Sequence, residues 1–334
     1  MNDSIYFYIP EGCSSATKFY VDIIKDVYSS HGLECKLTDK LADIPYRANV
    51  VTIRPLEFLK VWLTKHPKYT LTWFQGLSPE EIKMEYKPSL RRFLKIPVHE
   101  FAEKLCLKVC DVCLFVSDAM RNHYIRKYGI IPDKSFIMPC FNMEFNENLI
   151  RKNPYRYERP TFVYAGNLSS WQCFKHTLKL YKKIKDILPD ASLRIYTHEI
   201  DKALSILKEH NVDAKVDCVS AQQLSEELAD YKYGFIVRDD IVVNNVATPT
   251  KMNSYMSSGL IPVYSDVIEA YKQPISGHAH VIPFLTDEEA INKILHMEQT
   301  PISVDKIVNE YGDIFSKYWN RNKYIEELSA ILYI

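Results

Sequence analysis

Two cations, Arg238 and Lys251, flank a polar loop in the stretch YGFIVRDDIVVNNVATPTKMNSYMSSGLIPVYSD, residues 233–266. Arg238 follows a short apolar run, residues 235–237, that reads as a buried strand. Thr248-Pro249 reads as an N-cap followed by a proline at the first helical position, which puts Lys251 in the first turn of a helix ending near Gly259. The leading amides of a helix have no intrahelical partner and lie at the positive end of its dipole. The amides of Thr250 and Lys251, the Lys251 ammonium and the Arg238 guanidinium would therefore converge on one anion, and a diphosphate fits that charge. The competing reading is an ordinary capped helix in an α/β core, since every helix has an N-terminus.

A second group with chemistry is TWFQGLSPEE, residues 72–81, in which Gln75-Gly76 make a turn and Ser78 caps a helix opened by Pro79, Glu80 and Glu81. The two carboxylates complement a helix dipole, or they face a cleft as polar groups for a substrate. Lys83, Lys87, Arg91, Arg92 and Lys95 follow, interleaved with Met84, Tyr86, Leu90, Phe93 and Leu94. That mixture suits an anionic membrane surface, while a solvated helical face is the simpler reading. A long helix is expected over residues 98–109.

The remaining motifs exclude more than they propose. Eight cysteines are scattered through the chain, and the one CxxC, Cys110 and Cys113, lies at a helix-to-strand junction without a second pair, as packed reduced thiols do. The histidines lack ligand spacing beyond His278 and His280, which read as a loop or strand edge, so no metal site is expected. The nine glycines form neither GxGxxG nor a Walker loop. With 42 basic and 42 acidic residues in 334, a nucleic-acid binder is not expected. No apolar run is long enough to span a bilayer, and the N-terminus lacks a basic segment followed by an apolar one, so the expectation is a cytoplasmic protein.

The elements that must position these residues alternate. A β-type run at residues 5–9 leads through a turn about Gly12 into an amphipathic helix. Further strand readings, residues 35–37, 50–53, 69–74, 112–116 and 135–138, are separated by helices. The polar, proline-bearing segment 146–159 reads as a linker. Strands at residues 161–165, 193–196, 235–237 and 260–264 then alternate with helices again. Such alternation means parallel, doubly wound sheets whose ligands sit at the carboxyl ends of the strands. The expected architecture is two Rossmann-like domains facing each other across a cleft, residues 1–150 and 160–314.

Four segments, EKLCLKVCDVCLFVSDAMRNHYIRKYG, FIMPCFN, FVYAGNLSSWQ and VATPTKMNSYMSSGLIPVYSD, resemble in order and spacing the bacterial GT-B glycosyltransferases of the retaining family 4 type, over nearly the whole chain. The resemblance implies nucleotide-sugar binding mainly in the second domain, acceptor binding mainly in the first, and no cofactor or metal. It implies that Gly166 and Asn167 border the donor phosphates and that Arg238 and Lys251 neutralise them. Thr250 would donate its amide, with Ser170, Asn245, Thr248 and Ser254 around the donor and Gln75, Glu80 and Glu81 orienting sugar and acceptor. The acceptor would be a glycan or lipid-linked hydroxyl, and residues 315–334 would form a helix crossing back onto the first domain. Three features depart from the family, one being that Ser170 and Lys175 stand near the place of a lysine that usually follows the glycine by a few residues. Asn167 stands where an arginine is common, and Ser254 stands where the second of a glutamate pair is usual. A sugar-nucleotide epimerase of the same fold, favoured by a histidine or glutamate in the donor pocket, and a non-catalytic partner subunit are the alternatives.

Overall fold

The computed structural model describes residues 4–10 and 15–332, so the turn expected about Gly12 lies outside the described residues. Twelve strands form two sheets, and every pairing is parallel. The first sheet is built from β1 (Ser4–Tyr8), β2 (Glu34–Thr38), β3 (Asn49–Thr52), β4 (Tyr69–Phe74), β5 (Val112–Phe115) and β6 (Ser135–Ile137), in the order β2-β1-β3-β4-β5-β6. The second is built from β7 (Thr161–Ala165), β8 (Ser192–Tyr196), β9 (Lys215–Asp217), β10 (Tyr233–Ile236), β11 (Ile261–Ser265) and β12 (Ile282–Phe284), in the order β12-β11-β10-β7-β8-β9. Inner strands such as β5, β10 and β11 are buried at every position, which is why they read as continuous apolar runs. The edge strand β2 carries the exposed Glu34–Lys36 ion pair, a charged edge that resists pairing with another chain.

The chain divides into two compact units. The first takes the described residues up to Phe141, the three residues Val246–Thr248 and those from Asn320 onward; the second takes Asn142–Asn245 and Pro249–Trp319. In the first, Phe74 and Phe115 stack at 4.8 Å between centroids, and the thiols of Cys106, Cys110 and Cys113 lie buried within 4.8 Å of one another. The segment expected as one crossing helix, 315–334, is divided. Helix Val304–Lys317 buries Tyr311 and Phe315 in the second unit, and Asn320 then caps helix Arg321–Ile331, which packs on helix Ser15–Ser30 through an Arg321–Asp26 ion pair.

Three local expectations change. The helix expected from residue 98 begins at Leu90, because the Ser89 hydroxyl accepts the Arg92 amide, and it runs through Pro97 to Val109. The carbonyl that Pro97 leaves without a partner, that of Phe93, is on an exposed residue where water can bond it. Segment 146–159 is not an open linker. It forms helix Glu147–Arg151 and a 3₁₀ turn, Pro154–Glu158, and buries Arg156, whose guanidinium donates to Ala229 O (2.7 Å), Ser258 O (2.6 Å) and Ile150 O (2.7 Å). Ser78 is the first residue of helix Ser78–Glu85 rather than its cap, and the Leu77 amide is taken instead by the Glu81 carboxylate at 3.1 Å. No helix among the described residues is long and apolar enough to cross a membrane.

In the second sheet the chain leaves β7 toward β8 and β9 on one side and returns through β10 toward β11 and β12 on the other, so β7 and β10 flank the point where strand order reverses. Their ladder is short, pairing Tyr233 with Phe162 and Gly234 with Val163. Beyond it the Ala165 amide donates to the Tyr255 hydroxyl at 2.9 Å. Tyr255 therefore stands as a wedge at the carboxyl ends of two diverging strands and fixes helix Thr250–Ser257 there. Gly234 makes room for it, since a Cβ at that position would lie 2.3 Å from the Tyr255 ring. Gly234→Ala is accordingly expected to destabilise the fold by about 1–3 kcal/mol, as overpacked cores do. Urea unfolding measures it, and an unchanged midpoint would mean that the ring has room to move.

Candidate functional site

At the β7/β10 divergence lies a cavity of about 250 Å³ lined by Gly166, Asn167, Gln172, Arg238, Thr250 and Lys251, with Ser254 also on its wall. In open α/β sheets, ligands bind outside the carboxyl ends of the strands where the order reverses. Gly166 follows β7, Arg238 follows β10, and Lys251 sits in the first turn of helix Thr250–Ser257.

The two cations meet at one neutral oxygen. Gln172 Oε1 accepts from Arg238 Nη2 at 2.7 Å and from Lys251 Nζ at 2.9 Å. Arg238 is buried and also donates from Nη1 to Gln172 O (3.1 Å) and Val237 O (2.9 Å), while Ser265 Oγ accepts its amide. Lys251 Nζ lies 3.8 Å from the centroid of the Tyr164 ring, and the Tyr164 hydroxyl donates to Asn167 O at 2.6 Å. Among the described residues neither cation forms an ion pair with a carboxylate. Burial lowers the Arg238 pKa. Burial, and then the charge of Arg238, pull the Lys251 pKa well below its ordinary value. Partial π-attraction and an amide oxygen do not replace a counter-ion, so this pocket holds positive charge in excess.

The backbone makes the approach possible. Gly166 has φ 140°, and a Cβ there would lie 2.5 Å from Lys251 Cε. No side chain caps helix Thr250–Ser257, whose N-cap is Pro249, so its first amides remain open toward an anion. The expected cap, Thr248, is otherwise engaged, because its Oγ1 accepts the Cys140 amide at 2.9 Å within the first unit. Ser254 Oγ donates to Asn142 Oδ1 at 3.1 Å. Besides Thr248, two more expected donor residues stand outside this wall. Ser170 lines a neighbouring hollow of about 940 Å³, and Asn245 donates from Nδ2 to Asp240 at 2.8 Å while its buried Oδ1 has no partner. Two cations of that larger hollow differ in kind. Lys183 pairs with Asp287 (2.7 Å) and Lys175 with Glu209 (2.9 Å).

The first-unit residues separate into structural and open ones. Glu81, half-buried and with its pKa raised by desolvation, is spent on Leu77. Glu80 Oε1 accepts Lys127 Nζ at 2.8 Å and lies 3.9 Å from His123 Nε2. Lys127 also reaches the buried Glu103, which accepts from Tyr124 (3.1 Å) and Tyr128 (2.6 Å). Among the described residues, Gln75 Nε2, Glu80 Oε2 and His123 Nε2 are buried polar atoms without a hydrogen-bond partner. Burial lowers the His123 pKa against the opposing pull of Glu80. His280, considered with His278 for a metal, instead shares a 2.8 Å hydrogen bond with Glu310. Gln172, Tyr164 and His123 were missed by sequence reasoning. Gln172 is uncharged and gave no signal, whereas the i, i+4 spacing of His123 and Lys127 on one helix was available.

No protein-family model matches the chain, and no curated protein matches it. Solved structures do. Anabaena Alr3699/HepE in complex with UDP-glucose is 10% identical with a TM-score of 0.69, over 98% of this chain and 100% of that one. S. aureus TarM, crystallised with fondaparinux, alpha-GlcNAc-glycerol and UDP, is 11% identical with a TM-score of 0.63, over 85% of this chain. The chain spans only 55% of TarM. The alpha,alpha-trehalose 6-phosphate synthase of Burkholderia multivorans is 10% identical with a TM-score of 0.60, over 94% of this chain and 76% of that one. The fold is GT-B. At these identities the likeness extends to the fold alone, and the GT-B arrangement accounts for two parallel six-stranded sheets in one chain.

Excess charge in the cavity has a consequence for stability. Because the Lys251 pKa is lowered on folding, the unfolded chain binds the extra proton between that lowered value and the ordinary 10.5, and ligand-free stability rises with pH across this window. Lys251→Met removes the contribution. Its thermal midpoint is expected to exceed that of the wild type at neutral pH, and the difference is expected to shrink toward pH 10. Thermal unfolding of both proteins in parallel checks it; a variant less stable than wild type at neutral pH would contradict it.

Proposed function

We propose that the chain is a glycosyltransferase that moves a sugar from a nucleoside diphosphate donor to a hydroxyl of a glycan or lipid-linked acceptor, of the retaining family 4 type and metal-independent. The carrying observation is the pair Arg238 and Lys251, converging on Gln172 Oε1 without a carboxylate at an uncapped helix start. The UDP and UDP-glucose bound by the GT-B neighbours support the choice of anion.

In this reading the anomeric carbon–oxygen bond to the diphosphate breaks, a glycosidic bond forms to the acceptor oxygen, and the acceptor proton passes to the leaving diphosphate. Negative charge grows on that leaving group. Fixed cations and amides aimed at it stabilise the transition state more than the ground state, and they need no reorganisation as the bond breaks. Lys251 and Arg238 supply the positive charge, and the amides of Thr250 and Lys251 supply donors. Asn167 and Gln172 would border the phosphates, with Gln172 yielding its oxygen's two donors to the incoming anion. No histidine or carboxylate lines this cavity among the described residues, which favours transfer over epimerisation at this site. In the first unit, the unpartnered atoms of Gln75, Glu80 and His123 offer donor and acceptor positions to a polyhydroxylated acceptor.

Nucleoside diphosphates are expected to raise the thermal midpoint of the purified chain more than the corresponding monophosphates, by mass action on the folded state. Lys251→Ala should fold yet lose about 3 kcal/mol of barrier lowering, on the order of 10² in turnover of the donor that shifts the midpoint most. Release of nucleoside diphosphate is the readout, and near wild-type release by Lys251→Ala would overturn the diphosphate assignment. For the acceptor, His123→Ala and Glu80→Gln are expected to lower kcat/KM while leaving the nucleotide thermal shift intact. If they abolished that shift as well, these residues would not belong to an acceptor site.

A further inference from the structure

Helix Leu90–Val109 has its faces inverted along its first half. Ala102, Glu103, Cys106 and Leu107 bury the inner face of its second half. On the opposite side Leu90 is 75% exposed, Phe93 72%, Leu94 59%, Val98 49% and Phe101 56%. These positions and Pro97 recur at helical spacing, so they form one continuous outward stripe. The same outward face changes character after Phe101, continuing with the exposed Lys104 and Lys108 as an ordinary solvated helix would. Monomeric soluble proteins rarely expose contiguous apolar surface of this kind without a partner.

The charge around the stripe selects the partner. Residues 83–101 hold five cations, Lys83, Lys87, Arg91, Arg92 and Lys95, against two carboxylates, Glu85 and Glu100, of which Glu100 lies 3.6 Å from Lys83, a local net charge of +3 in a chain whose 42 basic and 42 acidic residues cancel. Arg92 Nη1 donates to Tyr86 O at 2.9 Å, and Lys95 Nζ lies 5.0 Å from the centroid of the Tyr86 ring, so the turn before the helix is held beside it. The exposed Met84 and Tyr86 extend the apolar surface. Two copies meeting through this face would set +3 against +3, which disfavours self-association. An apolar stripe with flanking cations matches the headgroup and upper acyl layer of an anionic bilayer, where long basic side chains reach phosphates while their neighbours enter hydrocarbon.

We propose that residues 83–101 dock this protein on anionic membrane lipid, with Leu90, Phe93, Leu94, Val98 and Phe101 inserted and Lys87, Arg91 and Lys95 at the headgroups. This needs no turnover, so it stands or falls apart from the proposed transfer reaction. Flotation of the full chain with vesicles of phosphatidylcholine alone, or of equal parts phosphatidylcholine and phosphatidylglycerol, tests it. Binding is expected only to the anionic vesicles and should weaken with salt. Arg91→Gln with Lys95→Gln should weaken it about fivefold per cation. Phe93→Ser with Leu94→Ser should weaken it on the order of tenfold per residue. All four side chains are at least partly exposed, so the variants should keep the wild-type thermal midpoint. Absence of binding to anionic vesicles, equal binding to neutral ones, or binding untouched by the Phe93 and Leu94 substitutions would overturn the proposal. So would a concentration-dependent dimer in sedimentation velocity that these substitutions abolish, because the stripe would then be covered by a second copy.

Discussion

Two cations sharing one amide oxygen is an arrangement that folding alone does not favour. Desolvating a guanidinium and an ammonium side by side costs free energy twice, once for each ion and again for their repulsion, and an uncharged acceptor recovers little of it. A core optimised only for stability would place a carboxylate where Gln172 stands. The lowered pKa of Lys251, set by burial and by Arg238, records that imbalance. Positive charge held without its complement would be stabilised by an anion, which is the requirement that the proposed diphosphate reading meets.

Keeping those cations together requires backbone that departs from a regular sheet. The ladder between β7 and β10 is cut short, and the Tyr255 hydroxyl takes the Ala165 amide that a longer ladder would have used. Gly234 admits the ring, and Gly166, at positive φ, admits the lysine stem. Two glycines, one inside β10 and one just after β7, thus act on one helix. One sets where helix Thr250–Ser257 lies, and the other sets whether its first charged side chain can reach the cavity. The reversal of strand order supplies the opening, and the glycines keep it from being filled.

Much of this was legible beforehand because parallel sheets leave a strong mark. Strands buried on both faces read as unbroken apolar runs, and their alternation with helices constrains the topology to a doubly wound sheet. Arg238 and Lys251 were visible for the same reason, as charges placed directly after such a run and inside a helix start. What stayed hidden depends on contacts distant in sequence. Thr248 has the right type and spacing for a cap, yet its hydroxyl is claimed by Cys140. Segment 146–159 has linker composition, but Arg156 finds three carbonyls from separate parts of the chain. Glu81 looked like a substrate ligand and is folded back on its own helix start, where Gly76 leaves it room. The helix expected over residues 98–109 starts earlier, at Leu90, because Ser89 caps it there.

The balanced charge of the chain conceals two positive features that obey opposite rules. Arg238 and Lys251 are few, desolvated and fixed by short hydrogen bonds, so in the proposed reading each acts strongly on one small anion at one geometry. The cations beside the apolar stripe of helix Leu90–Val109 are at least partly exposed on long stems, with Arg92 and Lys95 resting against Tyr86. Each is worth little alone and acts by summing over an extended surface, within the reach that salt permits. Net charge averages these away, and even a local count of basic residues treats them alike. Burial separates them: a cation that the fold has stripped of water signals recognition of a particular group, whereas cations left in water beside exposed leucine and phenylalanine signal attraction to a surface.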